Sequence, residues 1–271
     1  MTTGRDRPSV LAVSIEWEMV ESGPADAERT VLLLPGGMCS ARSYAEVMAE
    51  PALANTRLVA VTMPGHAGAL APDDFSSEAY ARITGELVRT VGADVVVGFS
   101  MGAMVASEMV VSGAFAGPVV LLGSSFSPPD EPAFFRAIIR LGSVLGTLPA
   151  RMLKTGAQSM AKHAPVPAER QNELRSDFAR NNPNDMRRGL RAYLRWLHRD
   201  DDPARRLCDA GVPTWVVHAE KGDGALTQHE RAVLEACPTT QVVTLPGKVF
   251  FIPNEVPARI AEIIIKALAA T

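Results

Sequence analysis

Gly98-Phe99-Ser100-Met101-Gly102 follows directly on the apolar run Val95-Val96-Val97, and residues 101–111 after it read as a helix. A serine placed between a buried strand and a helix has the setting of an activated nucleophile. The chemistry explains the spacing. The hydroxyl must project above the end of a sheet from a very tight turn, and a glycine on each side lets neighbouring backbone pass without a Cβ clash. The helix that follows points its N-terminal amides at the oxyanion formed when the serine adds to a carbonyl. Acyl transfer is the reaction class that this pentapeptide suits.

The elements that must position Ser100 are legible as an alternation. Short apolar runs at 30–34, 58–62, 94–98, 119–122, 213–218 and 241–245 read as strands, with an earlier strand or hairpin at 10–19. Helical patterns fall between them. Ser43 and Glu46 fit a capping box that opens a short helix. Ser76 or Ser77 can cap a helix on which Tyr80, Ile83, Leu87 and Val91 share a face, and Gly92 ends it. Further helices are expected at 227–236 and 257–269. This rhythm predicts an α/β protein with a mostly parallel sheet covered on both faces.

The rhythm breaks between about 125 and 202, where no β-like run occurs. Over 131–199 there are thirteen Lys/Arg and five Asp/Glu, in a chain of net charge −3. A helical cap at 125–202, inserted into a core formed by 1–124 and 203–271, accounts for the change. Arg187, Arg191, Arg195 and Arg199 make one helical stripe with Arg188 beside it, opposite Met186, Leu190, Tyr193, Leu194 and Leu197. The stripe reads either as a solvated basic face or as an attraction for an anionic group such as a carboxylate. Phe134, Phe135, Ile138, Ile139 and Leu141, followed by Leu145 and Leu148, form an apolar segment that packs on the core or lines a pocket.

The 271 residues are 47% hydrophobic, enough for a substantial core in one large domain or a domain with an insertion. The small negative charge gives no general attraction to nucleic acid or an anionic membrane. No apolar run approaches the roughly 18 residues of a transmembrane helix, and the first ten residues carry no apolar stretch of the secretory kind. Cys39, Cys208 and Cys237 lack CxxC spacing, which argues against a disulfide framework and a metal site. Reduced thiols, a cytoplasmic location and no metal or cofactor are the expectation.

With these motifs in chain order, the sequence resembles the α/β-hydrolase superfamily, in the branch with a helical cap, from about Thr30 to the C-terminus. Leu32-Leu33-Leu34-Pro35-Gly36-Gly37 is similar to its strand and oxyanion loop, with Pro35 in place of a common histidine. Met63-Pro64-Gly65-His66-Ala67-Gly68 is similar to its PGHG turn, and residues 212–220 to its late PxxxxHG strand. Glu255-Val256-Pro257, with Ile260 and Ile263, resembles the segment just after the catalytic histidine. The resemblance implies an oxyanion hole from the amides of Gly37 and Met101. It implies Asp223 as the triad acid, displaced by one residue, with Glu220 and then Asp130 as alternatives.

The same resemblance exposes a gap. Counting back from Glu255-Val256-Pro257 puts Phe250 at the triad-histidine position, and counting forward from Pro246-Gly247 puts Lys248 there. Phenylalanine cannot take a proton, and loss of one triad member is severe because the three act as a unit. Lys248, if desolvated, is an alternative base. His66 and His218 read as supports of a turn and a strand end, His229 as a helix residue, and His163 as a cap residue that could reach down to Ser100. The reading is a serine hydrolase of small to medium apolar carboxylic esters, thioesters or lactones, weak for want of the histidine. The alternative is a non-hydrolytic ligand-binding scaffold, or a lyase or cyclase, that uses the same pocket. The expected partner is an apolar small molecule, with room for an anionic group.

Overall fold

The structure is a computed structural model that describes residues 15–131, 146–199, 201–222 and 225–271. Seven strands make one sheet: β1 (Met19–Ser22), β2 (Thr30–Leu34), β3 (Arg57–Val61), β4 (Val95–Phe99), β5 (Val119–Leu122), β6 (Thr214–Gly222) and β7 (Thr240–Val249). Their spatial order is β1-β3-β2-β4-β5-β6-β7. β1 runs antiparallel to β3, and every other pairing is parallel. The alternation's mostly parallel sheet is present, and its strand order is that of the α/β-hydrolase fold that the resemblance implies. β4, which delivers Ser100, occupies the middle of the sheet.

The central strands are apolar throughout because both faces are covered. Along β2, Leu32 and Leu34 enter one buried cluster while Val31 and Leu33 enter the other. Helix α1 (Ala45–Met48) precedes β3, α2 (Ser77–Val91) precedes β4, and α3 (Met101–Val111) leads out of β4. α2 begins where Ser76 accepts a hydrogen bond from the Ala79 amide and ends on Gly92 at φ 68°. Gly92 is left-handed there without a Cβ penalty.

Between β5 and β6 the described chain is helical: α4 (Leu148–Ala161), α5 (Ala168–Arg180), α6 (Pro183–Leu197) and α7 (Pro203–Asp209). The apolar residues from Phe134 to Leu145 lie outside the described residues. The expected strand at 10–19 is described only from Ile15 onward, and β1 begins at its last residue. α8 (Gln228–Glu235) carries the Thr227/Glu230 capping box. α9 (Ile252–Glu255) and α10 (Pro257–Leu268) close the chain.

Three expectations need correction. The Ser43/Glu46 capping box does not form. Residues Ala41–Tyr44 make a single 3-10 turn and α1 starts at Ala45. Glu46 is drawn away by Arg170 at 2.9 Å and Asn254 at 2.7 Å. The last two strands also run past the Pro246-Gly247 turn signal. Pairing resumes beyond a register shift between Ala219 and Lys221 and continues to Gly222 opposite Val249. β7 is an edge strand, where a proline without an N–H interrupts no ladder on the solvent side.

The third correction concerns the thiols. Cys208 and Cys237 form a disulfide with Cα atoms 5.7 Å apart. α7 and α8 lie against each other, which brings together two cysteines with no local spacing signal. Closing a loop of 29 residues removes unfolded-state entropy worth about 3–4 kcal/mol. Reduction, or Cys237→Ser, is expected to lower the unfolding free energy by about 2–4 kcal/mol in denaturant titrations. Three titratable thiols in the denatured, unreduced protein would show that the bridge does not form.

Candidate active site

The turn that carries Ser100 is built from close backbone approach. A Cβ on Gly102 would sit 2.2 Å from the Leu34 carbonyl oxygen, and one on Gly98 would sit 2.3 Å from the Gly102 carbonyl oxygen. Only glycine allows β4 and α3 to meet this tightly and α3 to press on the end of β2. Ser100 is thereby held at φ 49°, ψ −109°, a conformation that a serine adopts only when its surroundings impose it. Its amide donates to the Leu122 carbonyl at 2.8 Å, and its carbonyl accepts from Ala103 at 2.9 Å. The side chain is left exposed at the mouth of a cavity.

The loop after β2 lies directly against this turn. The Cβ position of Gly36 is 3.6 Å from Ser100 Cβ, and that of Gly37 is 3.8 Å from Met101 Cβ. The loop turns where Cys39 donates to the Gly36 carbonyl at 3.1 Å, which places Met38 at φ 70°. Two side chains grip Met38. His66 Nδ1 accepts from its amide at 3.0 Å, and Asn181 Nδ2 donates to its carbonyl at 2.9 Å. Asn181 Oδ1 also accepts from the Ala67 amide at 3.0 Å. Asp177, one turn earlier on α5, accepts from the amide and hydroxyl of Ser40.

The cavity encloses about 170 Å³. Gly37, Met38, His66, Ser100 and Met101 line one side of it, and its roof comes from Leu153 of α4 and Met186, Gly189, Leu190 and Tyr193 of α6. The apolar face expected of α6 thus looks into the cavity. Among the described residues, no lysine or arginine appears in this lining. Arg188 lies 4.5 Å over the Phe75 ring and donates to the Asp73 carbonyl at 2.6 Å. Arg199 pairs with Glu78 and, at 2.9 Å, with Glu108. Glu108 is buried on α3 and also accepts from Trp196 at 3.1 Å and Arg206 at 3.3 Å, so it anchors α6 and α7 to the helix that follows Ser100.

The other residues singled out in the sequence are more scattered. Asp223 lies outside the described residues. Glu220 holds the Gly247 amide at 2.8 Å. Asp130 is buried and accepts from the amides of Phe126 at 2.8 Å and Ser127 at 3.0 Å. Burial, with buried Glu230 nearby, raises its carboxyl above the usual range. Lys248 is exposed in β7, in register with Lys221, and its ammonium sits 4.9 Å from the Phe250 ring. Phe250 is half-buried, with its amide on Glu255 at 3.1 Å. Neither Lys248 nor Phe250 lines the cavity. Phe251, its neighbour, packs with its ring 6.3 Å from that of Phe178.

Each of the five histidines is bonded elsewhere. His163 and His198 meet helix carbonyls at 2.9 Å, His229 meets Asp202 at 2.8 Å, and His218 meets Thr244 and Arg231 at 2.9 Å. Only His66 reaches the cavity wall. Its Nδ1 lone pair is committed to Met38, which puts the ring proton on Nε2, 3.5 Å from the Tyr80 oxygen. Burial lowers its pKa to about 4. The sequence pointed to His66 as a turn support but could not reveal that it also braces the loop beside Ser100. Asn181 and Glu108 carried no recognisable signal at all. Among the described residues, no cluster of three or more His, Cys, Asp or Glu could hold a metal ion. No described helix is long and apolar enough to cross a membrane.

His66 favours folding only while neutral. Its unfolded pKa is near 6.5 and its folded value about 4, so its contribution is complete above pH 6.5 and is lost as pH falls towards 4. The stability gap between wild type and His66→Gln, measured by denaturant titration, is expected to narrow by up to about 3 kcal/mol across that window. A gap independent of pH would mean that His66 is not held neutral.

The sequence profile of the alpha/beta hydrolase family matches residues 31–262. No curated protein matches the chain in sequence. Several solved structures are similar over nearly their whole length. An esterase from Thermogutta terrifontis, solved with malate bound, superposes with TM-score 0.73 at 20% identity, covering 95% of each chain. An enol-lactonase from Burkholderia xenovorans gives 0.73 at 15% identity, covering 94% of this chain and 97% of its own. A hydrolase from Pseudomonas aeruginosa gives 0.74 at 16% identity, covering 96% and 100%. At these identities the likeness establishes the fold.

Proposed function

Because the chain belongs to the alpha/beta hydrolase family, we propose that Ser100 is the nucleophile of a slow serine hydrolase acting on small to medium apolar carboxylic esters, thioesters or lactones. The observation that carries this reading is the strained Ser100 turn at the mouth of an apolar cavity, with the Gly37 loop against it. In this reading Ser100 Oγ attacks the carbonyl carbon, and the amides of Gly37 and Met101 hold the oxyanion. Each such donor is worth about 3–4 kcal/mol in the transition state. Asp223 is the acid of the incomplete triad. The cavity lining favours a neutral acyl group, since the arginines of α6 do not line it.

The reaction is slow in this reading because no imidazole takes the Ser100 proton. Oxyanion-hole and binding effects alone sustain about 10³–10⁴-fold acceleration over water. One observation favours a second reading, in which the pocket binds or transforms an apolar carbonyl compound without an acyl-enzyme: every histidine has its partner away from Ser100.

A fluorophosphonate probe and a short p-nitrophenyl ester separate the two. Slow labelling and slow turnover, both lost in Ser100→Ala, are expected. An unlabelled wild-type protein that still binds apolar carbonyl compounds would sink the hydrolase reading. Phe250→His is expected to leave ester hydrolysis unchanged, because Phe250 does not line the cavity, and a rise of about 10²-fold or more would put the missing base at residue 250.

A further inference from the structure

Four described residues other than glycine have positive φ: Met38, Ala67, Ser100 and Asp202. Two of them, Met38 at φ 70° and Ala67 at φ 47°, are bonded by one side chain, that of Asn181. Asn181 is buried at the C-terminal end of α5, 143 positions along the chain from Met38. Its amide nitrogen donates to the Met38 carbonyl at 2.9 Å, and its amide oxygen accepts from Ala67 at 3.0 Å. Asp177 adds a second tie from the same helix to Ser40, two residues beyond Met38. From the opposite side, His66 takes the Met38 amide.

A left-handed methionine is disfavoured by its own Cβ, and so persists only where both of its peptide groups are held. The Met38 amide is held by the core and its carbonyl by α5. The residue immediately before Met38 is Gly37, whose amide must point at the oxyanion. A turn that relaxed at Met38 would swing the Gly37 peptide away from Ser100.

We propose that Asn181 is a positioning residue for acyl transfer, holding the loop of Gly37 and Met38 in the geometry in which the Gly37 amide faces the oxyanion. The helical segment between β5 and β6 is then part of the catalytic apparatus as well as a roof. This inference rests on the reading of Ser100 as a nucleophile.

The test is fluorophosphonate labelling kinetics of the full chain, resolved into the maximal rate of phosphonylation and the probe concentration at half-maximal rate. Asn181→Asp keeps the size and the acceptor for Ala67 but loses the donor to Met38. Asn181→Leu loses both. Each is expected to lower the maximal rate at least about tenfold, with the half-maximal concentration changed less than threefold. Because glycine adopts φ 70° without strain, adding Met38→Gly to Asn181→Asp is expected to recover most of the lost rate. A merely structural role would raise the half-maximal concentration and would not respond to Met38→Gly.

Melting curves on every variant separate a folding failure from a slowed reaction, and the rate of the double variant is read against that of Met38→Gly alone. Labelling of Asn181→Asp at the wild-type rate, or a double variant no faster than Asn181→Asp, would overturn the proposal while leaving Ser100 as nucleophile. A wild-type protein that is not labelled would overturn both.

Discussion

The close approach of three backbone segments at Gly98 and Gly102 is the constraint from which the site follows. α3 presses on the end of β2 at a distance that leaves no room for a Cβ on Gly102, and β4 turns into α3 at a distance that leaves none on Gly98. Between them Ser100 has no choice of backbone conformation. Strain of this kind, on the order of 1–3 kcal/mol per residue, survives only where the surrounding structure over-determines it. Here that structure is the middle of a seven-stranded sheet whose central strands are buried on both faces. The serine is rigid because the sheet is.

The roof is attached in a different way. Buried polar side chains rather than apolar contact alone set where the helices between β5 and β6 lie. Glu108 receives Trp196, Arg199 and Arg206. Arg170, itself buried, reaches Glu46 and the Arg42 carbonyl. Asn181 and Asp177 reach the loop after β2. Buried charges are tolerated when they are paired and hydrogen-bonded, and such bonds are directional where apolar contact is not. The basic residues of α6 and the turn after it therefore have two uses. Arg199 is spent on anchoring and Arg188 on covering Phe75, while the apolar face of the helix looks into the cavity.

Sheet and serine turn were legible from local pattern. β2 and β5 fall where their apolar runs predicted, and β4 within a residue, because a strand covered on both faces must be apolar at every position. The Ser100 turn was readable because its glycines answer a steric demand that only glycine meets. Local signals failed where a distant partner outweighed them. Pro246-Gly247 signalled a turn, yet pairing with β6 carried β7 to Val249. Ser43 and Glu46 offered a capping box, yet Arg170 and Asn254 took the glutamate. Cys208 and Cys237 offered no spacing, yet the packing of two helices joined them.

The sequence by itself determined the α/β alternation, the family and the serine at its centre, since each rests on contacts between residues close in the chain. It also showed that no histidine follows His229. Only the tertiary structure decided what surrounds that serine. It bonded His66 to Met38 rather than to Ser100, kept Phe250 and Lys248 out of the cavity lining, and brought Asn181 to a loop 143 positions away. These are long-range polar contacts. An asparagine or histidine reads the same in sequence whether it is solvated or buried, and only the fold supplies the partner that gives it a role.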